Sequence, residues 1–477
     1  MRRPLIHLFA LLLTFAGVTA KAQYRFLTAA PANERLKVLW KYCSDSLISD
    51  KDSAATHQFL QGVAKVADSL DDGQLKKYAN YFRMCFRLLF SSNYQQYFAE
   101  GDYESAAGVF KAGKAWALQN HYDDIAAACE HYIGEVYFNA ARYGLAFDHL
   151  LKADESFRKI GYENVPAISI YLSDFALHYY RFEEYDKSLT YFLSASRYPF
   201  YLPRVELNTL NSIGLIYARK KEWDKAVSFY RKTIEKAKAC ENPAWVGIAS
   251  GNLGNVFLTN GQNDSALFYH GKNYHLNIVK RSGGAPEDAA KSALAIATVF
   301  VRQQQLDSAL YYIRSGQELA QEYIWDSAER LEFRRRVLVV MMEINKAKGD
   351  YKKTLLLSDT LSTVKDSLQQ MLDAKILNRS VEKAEAERYG AELKLLESQK
   401  SLSRFRFYVL IAVVLCLMIT AALLFNRYRD RKQREAQLFE KEREILALEK
   451  IRAEEKLKHA EELLTAYLTT IKEKRSL

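Results

Sequence analysis

The sequence predicts an all-α protein: a superhelical α-solenoid of stacked helix pairs, then a long juxtamembrane helix, one transmembrane helix and a helical, coiled-coil-like tail. Three observations predict this class. Only seven prolines and 20 glycines occur in 477 residues, a composition typical of helical chains. Apolar residues recur at i, i+3 and i+4, which is the helical period. A unit of about 40 residues recurs along the chain, as expected for a repeat array.

Residues 1–22 have the pattern of a secretory signal peptide. Arg2 and Arg3 precede an apolar run, and Ala20-Lys21-Ala22 forms a small-residue cleavage site before Gln23. The apolar run is shorter than a membrane span needs. We therefore expect the chain that follows to be exported across a membrane; a retained N-terminal anchor is the alternative.

The five cysteines do not predict a disulfide framework. They are scattered, odd in number, and form no C-x-x-C pair. Small buried side chains on helices are the favoured interpretation, and a single bridge among the first four stays open. The cysteines are Cys43, Cys85, Cys129, Cys240 and Cys416.

The clearest copy of the repeated unit has Gly214 and Tyr217 before a turn at 219–222, followed by Ala226 and Tyr230. A small residue on each helix lets the paired helices approach closely, and we expect the aromatic rings to fill the volume between successive units. The other copies have Tyr97, Ala106 and Phe110; Gly134, Tyr137 and Ala146; Tyr179, Ser188 and Phe192; Gly254, Phe257 and Ala266; Phe300, Ala309 and Ile313; and, in decayed form, Tyr351 and Thr354.

This pattern resembles the tetratricopeptide repeat (TPR), which has Gly and Tyr on its first helix and Ala with an aromatic residue on its second. The resemblance covers residues 75–370 and implies a TPR-like solenoid. Residues 23–74 are expected to form an N-terminal helical cap. Since the ordinary repeat has 34 residues, the longer spacing here implies longer helices or longer loops.

The resemblance also implies a surface that binds a protein or peptide. The chain has 31 tyrosines, and those at the repeat positions Tyr97, Tyr137, Tyr179 and Tyr217 are expected to pack in the core. Tyr198 and Tyr201, beside Pro199 and Pro203, are the candidates to line a concave peptide-binding face.

The segment Phe407–Phe425 predicts a transmembrane helix. It contains no charged residue, and at about 1.5 Å per residue it extends about 28 Å, close to the thickness of the hydrocarbon core. A basic cluster follows it, which predicts that this end faces the cytoplasm. We therefore expect a single-pass protein of the inner membrane with its repeats in the periplasm or otherwise outside the cytoplasm. The cluster consists of Arg427, Arg429, Arg431, Lys432 and Arg434.

Helices are predicted on both sides of this segment. Residues 371–406 form the juxtamembrane helix, with Val381, Ala384, Leu393 and Leu396 as a partial seam. In the tail, residues 426–477, apolar residues follow heptad spacing but basic residues interrupt the early part. A homodimer through a coiled coil and a single solvated helix are both consistent with the tail. The coiled coil is expected mainly after Ala453. Its apolar positions are Phe439, Leu446, Ala453, Ala460 and Tyr467, alternating with Leu457, Leu464 and Ile471, and the interruptions are Arg443 and Lys450.

No catalytic, cofactor or metal motif is present, so we expect a protein that is not an enzyme and needs no cofactor. His270 and His275 are five residues apart and do not share one helix face. His459 lies on a charged helix, but Ala460 follows it where a phosphoacceptor would have an acidic residue. The net charge of +11 comes from interspersed charges of both signs, so no nucleic acid is expected to bind this chain alone.

The layout resembles the membrane-spanning TPR sensors and regulators of Bacteroidetes, in which a cytoplasmic output domain follows the coiled coil. No output domain is recognisable up to Leu477. The resemblance implies a non-enzymatic protein that binds a protein or peptide outside the cytoplasm and takes part in signal transduction. The alternatives are a structural scaffold or assembly factor of an envelope complex, and a remnant or partner of a transcriptional regulator.

Overall fold

The computed structural model describes residues 23–46, 53–89, 102–279, 284–324 and 326–474. In these ranges the chain is helical and contains no strand. The predicted signal peptide and Tyr97 of the first repeat copy lie outside the described residues, and of the seam positions Val381, Ala384 and Leu393 only the helical backbone is described. The chain divides into two compact units, residues 1–391 and residues 392–477.

Seventeen α-helices are present among the described residues. They are α1 Arg25–Thr28, α2 Arg35–Ser46, α3 Ser53–Ser69, α4 Gly73–Leu89, α5 Tyr103–Gln119, α6 Asp123–Asn139, α7 Tyr143–Ile160, α8 Ile168–Arg181, α9 Tyr185–Ala195, α10 Pro203–Arg219, α11 Trp223–Ala239, α12 Pro243–Thr259, α13 Asn263–Asn277, α14 Pro286–Arg302, α15 Leu306–Tyr323, α16 Ser327–Ala347 and α17 Tyr351–Lys474. From α5 to α15 each helix packs mainly against its neighbours in sequence, which makes the first unit a TPR-like solenoid.

The turn inside each helix pair is closed by main-chain hydrogen bonds. After α10, Lys221 adopts a left-handed conformation (φ 60°), and the N–H of Glu222 donates to the carbonyl oxygen of Tyr217 over 2.9 Å. This is the Schellman arrangement, in which a left-handed residue ends the helix. The same bond ends α6, α8, α12 and α14. In each case the acceptor is the aromatic residue of the repeat pattern: Tyr137, Tyr179, Phe257 and Phe300.

Small residues allow the two helices of a pair to touch. A Cβ atom built on Gly214 would lie 2.6 Å from Cε1 of Tyr230, which is closer than real Cβ contacts come. Gly134 faces Leu150 and Gly254 faces His270 in the same way. The residue four positions after the small residue of the second helix therefore fills the notch left by the glycine. Those small residues are all buried: Ala146, Ala226, Ala266 and Ala309.

Replacing Gly214 by alanine is expected to destabilise the protein by about 1–3 kcal/mol, because the added methyl group would force the buried ring of Tyr230 to move. Gly108 is the matched control, since a Cβ atom there meets nothing within 4 Å. Gly108→Ala is expected to stabilise α5 by about 0.5–1 kcal/mol. Denaturant unfolding of the two variants measures the difference. Destabilisation of equal size in both would show that Gly214 is not a packing position.

A series of stacked aromatic pairs runs along the solenoid. Each pair joins the first and second helices of one unit, whereas the sequence suggested that these rings fill the volume between units. The second ring comes three residues after the small residue, a position that the sequence interpretation did not include. The pairs are Tyr137–His149, Tyr179–Tyr191, Tyr217–Phe229, Phe257–Tyr269 and Phe300–Tyr312, with centroid separations of 5.4–5.7 Å.

The hydrophobic core forms one large cluster up to Leu202 and several smaller ones in the rest of the solenoid. One continuous cluster extends from Tyr24 to Leu202, and smaller clusters follow towards the C-terminus. The large cluster includes the N-terminal helices, because the buried ring of Trp40 on α2 contacts the edge of the Tyr201 ring at 5.8 Å. Tyr198 likewise contacts Tyr162 at 6.0 Å. Tyr198 and Tyr201 thus pack against this core while staying partly exposed, and their contribution to a peptide-binding face stays a prediction.

The second unit, residues 392–477, is helical in its described part. The segment Ser398–Ile471 is the one stretch among the described residues that is long and apolar enough to cross a membrane, with a mean hydropathy of 2.8 over its best 18 residues. All side chains of Phe407–Phe425 are exposed in the isolated chain. The five basic residues from Arg427 to Arg434 are also exposed on this helix, as are the heptad positions of the tail.

Candidate functional site

Polar side chains connect the first helices of successive units. The carboxylate of Asp124 on α6 accepts hydrogen bonds from Lys77 (2.7 Å) and Tyr78 (3.0 Å) on α4. Further along, the hydroxyls of Ser173 and Thr209 join α8 to α10 over 2.8 Å. Because the residue types differ at every step, no repeated motif in the sequence predicts this set of contacts.

A cluster of two imidazoles and two carboxylates connects α6 to α8. His131 and Glu135 are one turn apart on α6, and Asp174 and His178 are one turn apart on α8. Nε2 of His131 lies 3.3 Å from Oδ2 of Asp174 and 3.7 Å from Oε1 of Glu135. Nε2 of His178 forms a short hydrogen bond with the same Oε1 of Glu135. We call these four residues the α6–α8 cluster.

The α6–α8 cluster holds two acidic groups in a largely buried place. Burial raises the pKa of Asp174, and the nearby charge of Glu135 raises it further, against the hydrogen bond from His131. Burial would also raise the pKa of Glu135, but the charge and the hydrogen bond of His178 outweigh it and lower that pKa. Among the described residues, the only basic side chains within 4.0 Å of these carboxylates are imidazoles.

A second feature is a groove of about 680 Å³ between α5 and α7, with the first half of α6 as its floor. The floor is apolar at Ala126 and Ala127. Lys114 lies on the α5 wall, and Lys152 and Lys159 lie on the α7 wall. We call this the α5–α7 groove.

The charged side chains of the α5–α7 groove differ in how strongly they are paired with other groups of the protein. Burial alone would raise the pKa of Glu130, but hydrogen bonds from His149 and Lys114 outweigh it and lower the pKa to about 2, so this carboxylate is ionised and satisfied. Lys152 pairs with Asp148 on its own helix at 2.8 Å, and Lys159 pairs with Glu155. Exposed pairs of this kind contribute little to stability. The two α7 ammonium groups can therefore turn to a ligand at small cost.

The residues predicted from the repeat pattern lie elsewhere. Gly214, Tyr217, Ala226 and their equivalents form the interior of helix pairs and line neither the groove nor the cluster. His270 is buried against Gly254, and His275 is exposed on the same helix. His459 is exposed, 4.0 Å from Glu462.

Sequence reasoning missed the α6–α8 cluster because it compared histidines only with other histidines. The signal that could have found it is a pair of His/acid couples, each at i, i+4, on the first helices of consecutive units. His131 with Glu135 and Asp174 with His178 have this spacing. On a helix, residues four apart share one face.

Comparisons with known proteins find similar helical structures at low sequence identity. No family model matches the chain, and no curated protein matches it. A Rap protein complexed with competence and sporulation factor is 15% identical with a TM-score of 0.40, covering 80% of this chain and 98% of that one. A signal transduction ATPase with a tetratricopeptide repeat sensor from Pyrococcus horikoshii is 15% identical with a TM-score of 0.49, covering 76% and 53%.

A tetratricopeptide repeat protein from Parabacteroides merdae is also 15% identical, with a TM-score of 0.37 over 62% of this chain and 98% of that one. Similarity at this level carries no inference about a ligand. We assign the TPR-like fold from the helix pairs of this chain, their Schellman turns, and the contacts of Gly134, Gly214 and Gly254 described above.

Proposed function

We propose that this chain is a non-enzymatic, membrane-anchored TPR-like protein that binds a protein or peptide segment in the α5–α7 groove, outside the cytoplasm, as part of a sensing system. The observation that carries the proposal is the groove itself. It combines an apolar floor with the ammonium groups of Lys152 and Lys159, which are held only by exposed pairs on their own helix.

This lining favours a ligand with carboxylate groups. Within the groove, Asp124 is neutralised by Lys77, and Glu130 by Lys114 and His149. Asp123, an exposed carboxylate, also lines the groove, so the attraction for an acidic ligand comes from the part lined by the two lysines of α7. An extended peptide with small apolar residues against Ala126 and Ala127 and acidic residues along α7 matches both parts of the groove.

The membrane anchor is supported by the helix around residues 407–425. Burying a Leu, Ile, Val or Phe side chain is more favourable than leaving it in water by about 1.5–3 kcal/mol, and this segment exposes many such side chains in succession. A lipid bilayer recovers that free energy. The basic residues from Arg427 to Arg434 support a cytoplasmic position of the tail, because positive charge is usually enriched on that side of a membrane span.

The test is a selection of peptides from a random phage-displayed library against the full-length protein in lipid nanodiscs. We expect acidic peptides to be enriched. Their affinity is expected to fall by about tenfold, or about 1.4 kcal/mol, in the Lys152→Gln/Lys159→Gln variant, because the variant keeps the fold but removes both ammonium groups from the groove.

The matched control is Lys225→Gln/Lys232→Gln, which removes two exposed ammonium groups from α11, away from the groove. It is expected to leave peptide affinity unchanged. Equal loss in both double variants would mean that net charge, not the groove, attracts the peptides. Enrichment of peptides that bind all three proteins alike would refute the groove as the binding site.

A further inference from the structure

The α6–α8 cluster brings metal-ligating atoms together from two helices. His131 supplies an imidazole Nε2, and Glu135 and Asp174 each supply a carboxylate oxygen. These three atoms all lie within 4.8 Å of one another. We propose that His131, Glu135 and Asp174 form a binding site for a divalent transition-metal ion, with Zn²⁺ as the ion used to test it.

The spacing of the donor atoms suits such an ion. Zn²⁺ binds imidazole nitrogen and carboxylate oxygen at about 2.0–2.2 Å, so two ligands of a tetrahedral ion are about 3.3 Å apart. Nε2 of His131 lies 3.3 Å from the Asp174 oxygen and 3.7 Å from the Glu135 oxygen. Two of the three pairs of donor atoms are therefore already close to the separation that a tetrahedral ion needs, and the two carboxylate oxygens lie within 4.8 Å of each other.

The charge of the cluster also favours a cation. Two carboxylates face one another in a place where burial raises the free energy of each charge. No lysine or arginine lies within 4.0 Å of them among the described residues; the basic groups that do are the imidazoles of His131 and His178. A divalent ion would balance both negative charges at once.

The remaining groups have the roles that metal sites require. His178 hydrogen-bonds to Glu135, and such a bond orients a ligating carboxylate in many metal sites. His131 is fully buried, which fixes its ring, whereas the side chain of Asp174 is 28% exposed. Because the site is open to solvent at Asp174, water can occupy the fourth coordination position of the ion, as in sites with three protein ligands.

Two ligands of the proposed site come from α6 and one comes from α8, so the ion would join consecutive units of the solenoid. The site lies on different residues from the α5–α7 groove. The proposal is therefore independent of peptide binding, and either can fail without the other.

Isothermal titration of the full-length protein in detergent with Zn²⁺ tests this proposal. The protein carries a tag without histidine and is first stripped with a chelator. We expect saturation at one ion per chain. In Asp174→Asn, which keeps the shape and hydrogen bonds of the side chain but removes its charge, the dissociation constant is expected to rise at least about tenfold. Glu135→Gln is expected to have the same effect.

The control is His149→Gln, which changes another imidazole that contacts a carboxylate, Glu130, but has only one such partner. It is expected to keep the affinity of the unaltered protein. Far-ultraviolet circular dichroism verifies that every variant is folded. Absence of a saturable site in the unaltered protein would overturn the proposal, and so would folded Asp174→Asn and Glu135→Gln variants that bind Zn²⁺ as tightly as the unaltered protein does.

Discussion

Trp40→Ala is expected to lower the opening free energy of the core formed by residues 24–202 by about 3–5 kcal/mol. The indole is buried and is surrounded by Tyr78 at 5.8 Å, Phe82 at 4.9 Å and Tyr201 at 5.8 Å. Removing it leaves a cavity that these large rings cannot close. Hydrogen–deuterium exchange measured on peptides from this region reports the change.

The control for this prediction is Trp116→Ala. Trp116 belongs to the same core but is only partly buried, where its ring contacts Tyr122. Its loss is expected to reduce the opening free energy clearly less than the loss of Trp40. Protection factors that fall equally in the two variants, or remain unchanged in Trp40→Ala, would show that α2 is not part of this core.

Acid is expected to destabilise the protein through His270, by about 3 kcal/mol between pH 7 and pH 4. Burial and, to a smaller extent, the charge of Arg336 together lower the pKa of His270 to about 4. In the unfolded chain a histidine has a pKa of about 6.5. Between these values the unfolded state binds the proton and the folded state does not. The free energy of unfolding is therefore unaffected by His270 above pH 6.5, and protonation of this residue in the unfolded chain lowers it as the pH falls towards 4.

The measurement compares the free energy of unfolding of the unaltered protein and His270→Leu from pH 7 to pH 4. Leucine occupies the equivalent position at Leu150, against Gly134, so the variant is expected to fold. Its stability should fall less steeply with acid. His275→Gln, on the same helix but exposed, is expected to retain the full slope. Parallel curves for His270→Leu and the unaltered protein would contradict the prediction.

The helix pairs could be predicted from the sequence because they depend on local spacing. Gly214 and Ala226 are twelve residues apart, and the same interval separates Gly134 from Ala146 and Gly254 from Ala266. Such an interval can be read by aligning the chain with itself. The stacking partners, such as Phe229 opposite Tyr217, follow the same register, and a wider search of that alignment would have found them.

Contacts between distant parts of the chain could not be predicted in this way. Trp40 and Tyr201 belong to no common period, so no sequence pattern indicated that a ring of the N-terminal helices contacts Tyr201. The α6–α8 cluster depends on how two first helices align side by side, and no spacing within one helix determines that. The α5–α7 groove depends on three helices at once, for the same reason.

The Schellman turns have a consequence for how this chain can diverge among relatives. Their closing hydrogen bonds join main-chain atoms only, and no side chain caps the helices that follow Arg142, Glu184 or Glu222. Mutations in these turns can therefore accumulate without loss of the helix pairing, provided that one residue tolerates a left-handed backbone. Turn sequences should drift quickly in evolution, while the glycines and alanines inside the pairs should change slowly.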